Sequence, residues 1–172
     1  AVRNCFVSRK NGRIAQIDII SAEPKFAKLL YSNFAPPDIY EDISASVFNN
    51  EYSRKQIKLA TICALYGQSP HMLRSSLQSS KSVTDIISKV KNYFGYSKLQ
   101  QRLVRLIEDK SLSNFLGRPL RTEDKSLALN HYLQSSVAEM SILMFSRFFN
   151  KNPDLDPLYV IHDASIFDAS PE

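Results

Sequence analysis

Leu158-Tyr159-Val160-Ile161 is a continuous apolar run that passes straight into His162-Asp163, and Ser165-Ile166-Phe167-Asp168 follows as a hairpin partner. Near the other end of the chain, Ile14-Ala15-Gln16-Ile17-Asp18-Ile19-Ile20 reads as a second apolar strand, paired with Phe6-Val7 through a Lys10-Asn11-Gly12 turn. Each run sets an aspartate, Asp18 or Asp163, near its end. A carboxylate there is costly to desolvate unless water, a cation or a metal meets it. Two such strands side by side would form a divalent-metal site of the kind phosphoryl transfer uses, with metals ~3.5–4 Å apart. Taken singly, either aspartate is better explained as a turn or cap residue, so the residues between them decide.

Those intervening residues are helical in pattern. Ser21 can cap a helix with Pro24 in its first turn that continues through Leu30, and Pro36-Pro37-Asp38 ends it and opens a short helix to Phe48 along the stripe Ile39, Ile43, Val47. Ser53 caps a third helix from Arg54 to about Leu65, closed by Tyr66-Gly67. Ser75 to Ser82 reads as an exposed connection, Val83–Phe94 and Lys98–Lys110 as helices, and Gly117-Arg118-Pro119 as a turn. The longest apolar stripe, Leu133, Val137, Met140, Met144 and Phe148, predicts a buried helix that Asn152-Pro153 and Asp156-Pro157 break. With strands at both ends and helices between, the fold class is α+β.

Composition narrows the class of function. The 172 residues carry a formal charge of +5, unevenly spread: Arg54 to Lys125 holds 14 Lys/Arg against 5 Asp/Glu, whereas the remainder is net −4. A basic stretch of that size suits a polyphosphate or a nucleic-acid backbone, although a solvated helical face explains the charge equally well by itself. No apolar run reaches the ~20 residues of a membrane span. Cys5 and Cys63 have no metal-ligand spacing and read as reduced, which places the protein in the cytoplasm. His71, His131 and Tyr40 read as structural.

On the third helix Arg54, Lys58, Ile62 and Tyr66 advance by about 40° per step and so share one face. Such a face could hold a triphosphate with its two cations while Tyr66 stacks near a base pair. In this order the pieces resemble the family A, polymerase I-like DNA polymerases. Asp18-Ile-Ile-Ser-Ala-Glu23 is similar to that family's motif A, and Glu23-Pro24-Lys25 resembles the Glu-Pro-Arg variant of its phage members. Arg54, Lys58, Tyr66 and Gly67 are similar to motif B on the fingers helix, and Asp38-Ile39-Tyr40 resembles the Asp-Ile-His that precedes it. Asn130-x3-Gln134 resembles the palm helix that touches the minor groove, and Tyr159-Val160-Ile161-His162-Asp163 resembles motif C.

The resemblance spans Arg3 to Phe167 and implies a palm with a small antiparallel sheet backed by helices, with palm at 1–35, fingers at 36–120 and palm again at 121–172. It implies template-directed DNA synthesis on primer-template DNA from dNTPs in a bacterial or phage-infected cell. Asp18 and Asp163, with the Ile19 carbonyl, would hold two Mg²⁺ ions. Arg54 and Lys58 would grip the β- and γ-phosphates, Lys58 also acting as general acid. Tyr66 and Ile62 would line the nucleotide, Glu23 would exclude a ribose 2′-OH, and Gly67, Asn130, Gln134 and His162 would contact DNA.

The pattern departs at Ala164, where bacterial motif C has Glu, at Ile62, where an aromatic is usual, and at Ser126, where an Arg is usual and Lys125 is the neighbouring substitute. No counterpart of thumb or proofreading exonuclease is present, and the chain opens on Ala1. It therefore reads as a piece of something larger, with that remaining portion or other replication proteins as partners. A single-subunit RNA polymerase shares much of the framework, but Glu23 stands where those enzymes keep a small residue. A non-catalytic, polymerase-derived nucleic-acid-binding domain is the other alternative.

Overall fold

Three segments rich in β-branched and aromatic residues pair into one antiparallel sheet: β1 (Arg13–Asp18), β2 (Leu155–Ile161) and β3 (Ala164–Ala169), in the order β1-β3-β2. The computed structural model describes residues 7–9, 11–77, 82–122 and 124–169. β2 and β3 form the expected hairpin, and β3 is central, with Ala164 through Asp168 all buried. β1 pairs along β3, from Arg13 opposite Ala169 to Asp18 opposite Ala164. The expected partner of β1, the Phe6-Val7 strand, has Phe6 outside the described residues, as Lys10 of its turn is, and Val7 is in no strand.

Asp156-Pro157 does not break the chain ahead of β2 but lies within it. Proline cannot donate to a ladder, so it is tolerated on edge strands and at bulges. β2 is an edge strand, and its register shifts between Pro157 and Tyr159.

Seven α-helices occur among the described residues: α1 (Ala22–Ser32), α2 (Ile39–Phe48), α3 (Arg54–Tyr66), α4 (His71–Ser76), α5 (Val83–Tyr93), α6 (Tyr96–Glu108) and α7 (Ala128–Lys151). Asp38 caps α2 by accepting from the Tyr40 and Glu41 amides, and Ser53 caps α3 through a reciprocal box with Gln56. Gly67 ends α3 at φ 67°, the left-handed conformation glycine adopts without strain. Ser21 has φ 53° rather than the extended backbone of a side-chain cap.

α4 replaces part of the connection expected from Ser75. The hydroxyls of Ser75 and Ser76 bond back to the His71 and Leu73 carbonyls, which lets serines close a helix, while Leu73 is buried. Residues 78–81 lie outside the described residues.

By internal packing the chain divides into one compact unit of Ala1–Ala22 with Ser135–Glu172 and another of Glu23–Gln134. In the first, Phe148 and Phe149 of α7 pack edge-on against Phe167 of β3. In the second, Ile39, Ile43, Ile57, Ala60, Leu65, Ile86, Val90 and Phe94 supply the core of α2, α3 and α5. Full burial of an Ile or Phe contributes about 1.5–3 kcal/mol, so this core holds α3 firmly. The α7 stripe departs from expectation: Leu133 and Val137 are buried, but Met144 is 53% exposed and Phe145 takes the buried place. No described helix is long and apolar enough to cross a membrane.

Candidate functional site

The sheet register brings the two aspartates together. Asp18 ends β1 opposite Ala164, the first residue of β3, and the amide of Ile19 donates to the Asp163 carbonyl at 2.9 Å. Asp163 lies in the tight turn between β2 and β3, beside His162, whose φ of 54° helps to reverse the chain. Residues from opposite ends of the sequence thus share one end of the sheet. Asp18 and His162 are exposed and Asp163 is half-buried. Among the described residues neither carboxylate has a hydrogen bond or ion pair, so both are open to a cation.

No group of three or more His, Cys, Asp and Glu that could hold a metal occurs among the described residues. Carboxylate and main-chain carbonyl oxygens are nevertheless of the donor type that Mg²⁺ takes. That ion takes hard oxygen ligands, keeps several waters and completes its shell on substrate phosphates rather than in an all-protein cage.

The second unit carries the α3 residues. Arg54 and Lys58 are exposed, Ile62 and Tyr66 half-buried, and Ile57, Ala60, Thr61, Ala64 and Leu65 are buried on other faces. The predicted stripe is therefore an accessible face. Lys58 has no partner among the described residues.

Arg54 does have partners that the sequence reading missed. Its Nε donates to Asp38 Oδ2 at 2.7 Å, and its guanidinium sits 5.1 Å from the centroid of the buried Tyr40 ring. Burial works against ionisation of Asp38, but Arg54 and the Glu41 and Tyr40 amides overcome it and hold the carboxyl below its ordinary value. A guanidinium carries five N–H donors, so pairing through Nε leaves the terminal nitrogens for an anion. The helix-cap pattern at Asp38 was visible in sequence; the link to Arg54, sixteen residues on, was not.

Glu23 and Tyr66 also meet. The Tyr66 hydroxyl donates to Glu23 Oε2, tying the start of α1 to the end of α3. Gly67, next to Tyr66 in sequence, is exposed, with no atom within 4 Å of where a Cβ would stand. On the first turns of α7, Gln134 is exposed and Asn130 is half-buried, with Oδ1 lacking a hydrogen-bond partner. Ser126 is engaged with Asp124, and Lys125 with Glu108 at 2.6 Å. His71 is exposed and His131 half-buried. Cys63 is a free, buried thiol, whose pKa burial raises; Cys5 lies outside the described residues.

These elements, in this order, match a solved structure. The fold is similar to that of a DNA polymerase domain. The POL domain of Pol1 from M. smegmatis, in complex with DNA primer-template and dNTP, superposes with a TM-score of 0.66 at 17% identity over 98% of this chain. The match spans 36% of that polymerase chain, so this chain corresponds to about a third of it. No protein-family model matches the sequence, and no curated protein matches it.

Proposed function

We propose that the chain is the catalytic palm-and-fingers portion of a family A, polymerase I-like DNA polymerase of phage type, adding dNTPs to a primer 3′-OH. Residues 1–35 and 121–172 are the palm and 36–120 the fingers, and the protein works in the cytoplasm of a bacterial or phage-infected cell. The observation that carries this reading is the meeting of Asp18 and Asp163 at adjacent strand ends, with both carboxylates unpaired among the described residues.

Asp18 and Asp163, with the Ile19 carbonyl, would hold two Mg²⁺ ions. When bound, Mg²⁺ activates the attacking hydroxyl and neutralises charge on the departing pyrophosphate. Arg54, oriented by Asp38, and the unpaired Lys58 bind the β- and γ-phosphates, and Lys58 donates a proton to pyrophosphate. Tyr66 and Ile62 line the nucleotide, and Tyr66 packs against the template-side base pair. Its hydroxyl fixes Glu23, whose carboxylate closes the space a 2′-OH would need.

Asn130 and Gln134 offer amide donors to minor-groove acceptors, which every base pair presents and which therefore suit contact independent of sequence. Gly67 leaves room for the template, and His162 supports the primer terminus.

Asp18→Ala and Asp163→Ala should each abolish Mg²⁺-dependent primer extension by the parent enzyme while leaving its melting temperature within a few degrees. Extension retained by both variants rejects the reading.

A further inference from the structure

Tyr31 is an exposed ring that the second unit holds in a fixed place. It ends the apolar part of α1 with 40% of its surface exposed, and its ring lies against Gly95, between α5 and α6. A Cβ on Gly95 would fall 2.1 Å from a Tyr31 ring carbon, so only glycine admits the ring, and Gly95 is left-handed at φ 60°. Two ammonium groups approach the same ring: Lys28 Nζ at 5.7 Å and Lys98 Nζ at 5.8 Å from its centroid.

Lys28 is itself anchored. It donates to the Tyr93 carbonyl at 3.0 Å and lies 3.7 Å from the Tyr93 ring, whose hydroxyl donates to Asp42 at 2.6 Å. Close by in sequence, Lys91 is 4.6 Å from the Tyr96 ring, and Phe34 is 64% exposed. None of these groups belongs to the α3 face or to the aspartate pair.

A rigid, exposed aromatic flanked by cations is what unpaired bases and their phosphates bind. The ring face stacks on a base of any identity, and the ammonium groups meet the phosphates on either side. An acidic protein partner would need the cations but has no use for a bare ring; a duplex offers no unstacked base. Of the platform residues, Lys98 belongs to the basic Arg54 to Lys125 stretch, and Lys28 and Tyr31 join it from α1.

We propose that Tyr31, Lys28 and Lys98 form a binding platform for single-stranded DNA, separate from the nucleotide-binding face. The platform rests on these contacts alone and stands or falls independently of the catalytic reading.

The test is fluorescence anisotropy of a labelled oligothymidine of about 16 nucleotides and of a blunt hairpin duplex closed by a non-nucleotide linker, at two salt concentrations, with the full chain. Tyr31→Ala should weaken oligothymidine binding by about 5- to 160-fold, the range for removing one stacked base. Tyr31→Phe should keep it, and hairpin binding should be the same in all three proteins. Lys98→Gln, an exposed change that cannot unfold the chain, should lower the salt slope by about 0.7, one phosphate's share on a single strand.

Wild-type affinity in Tyr31→Ala, an equal loss on the hairpin, or an unchanged slope in Lys98→Gln overturns the platform. Primer extension retained by the aspartate variants, with these results intact, would reject the catalytic reading and leave the platform standing.

Discussion

Glu23 sits in the first turn of α1, where negative charge is favoured, and the Tyr66 hydroxyl donates to one of its oxygens. In the proposed role, a carboxylate held this way would be a better steric barrier to a 2′-OH than a free one, because swinging aside would break that hydrogen bond. Tyr66→Phe removes only the hydroxyl, and a hydrogen bond to a charged group contributes about 1.5–3 kcal/mol. The ratio of dNTP to rNTP incorporation should therefore fall by about tenfold, and further in Glu23→Ala; an unchanged ratio in both would remove Glu23 from sugar selection. The residue types and spacings of these positions were legible in the sequence. Their pairing was not, because Glu23 and Tyr66 stand 43 residues apart and only the fold brings them together. Asp38 and Arg54 are the same case: each was visible as a local feature, and only the fold makes one orient the other.

At the scale of elements, boundaries written in local chemistry were the readable ones. α2 begins at the Asp38 cap, and α3 runs from the Ser53 box to left-handed Gly67, because capping depends on residues within a turn of each other. The depth of each face is a tertiary property and was less readable. Along α7, Leu133, Val137, Ser141 and Phe145 are buried at four-residue steps, whereas the apolar run beside them, Ile142, Leu143 and Met144, is exposed. Both faces are apolar enough to fit a core, so periodicity could not choose. Phe145→Ala should cost about 3–5 kcal/mol in denaturant unfolding, as large core truncations do. Met144→Gln should stay within about 0.5 kcal/mol of wild type. Equal costs would return the stripe to its expected phase.

Across the whole molecule, the first and last described segments build one sheet, and the antiparallel register of β1 with β3 is what carries Asp18 to Asp163. The apolar runs and their aspartates were legible as separate strand ends; their adjacency followed only from the sheet order β1-β3-β2. A fold can persist at 17% identity because hydrophobic pattern, caps and register tolerate wide substitution, which is why structure finds a likeness of fold to a polymerase domain where sequence comparison finds no match.

The most direct test of the paired-aspartate site needs no catalysis. Amide NMR of the chain titrated with Mn²⁺, a paramagnetic stand-in for Mg²⁺, should show broadening centred on Ile19, Asp163 and Ala164 and abolished in the Asp18→Ala, Asp163→Ala double variant. Broadening centred elsewhere, or unchanged in that variant, would contradict the claim that these two carboxylates share a cation site.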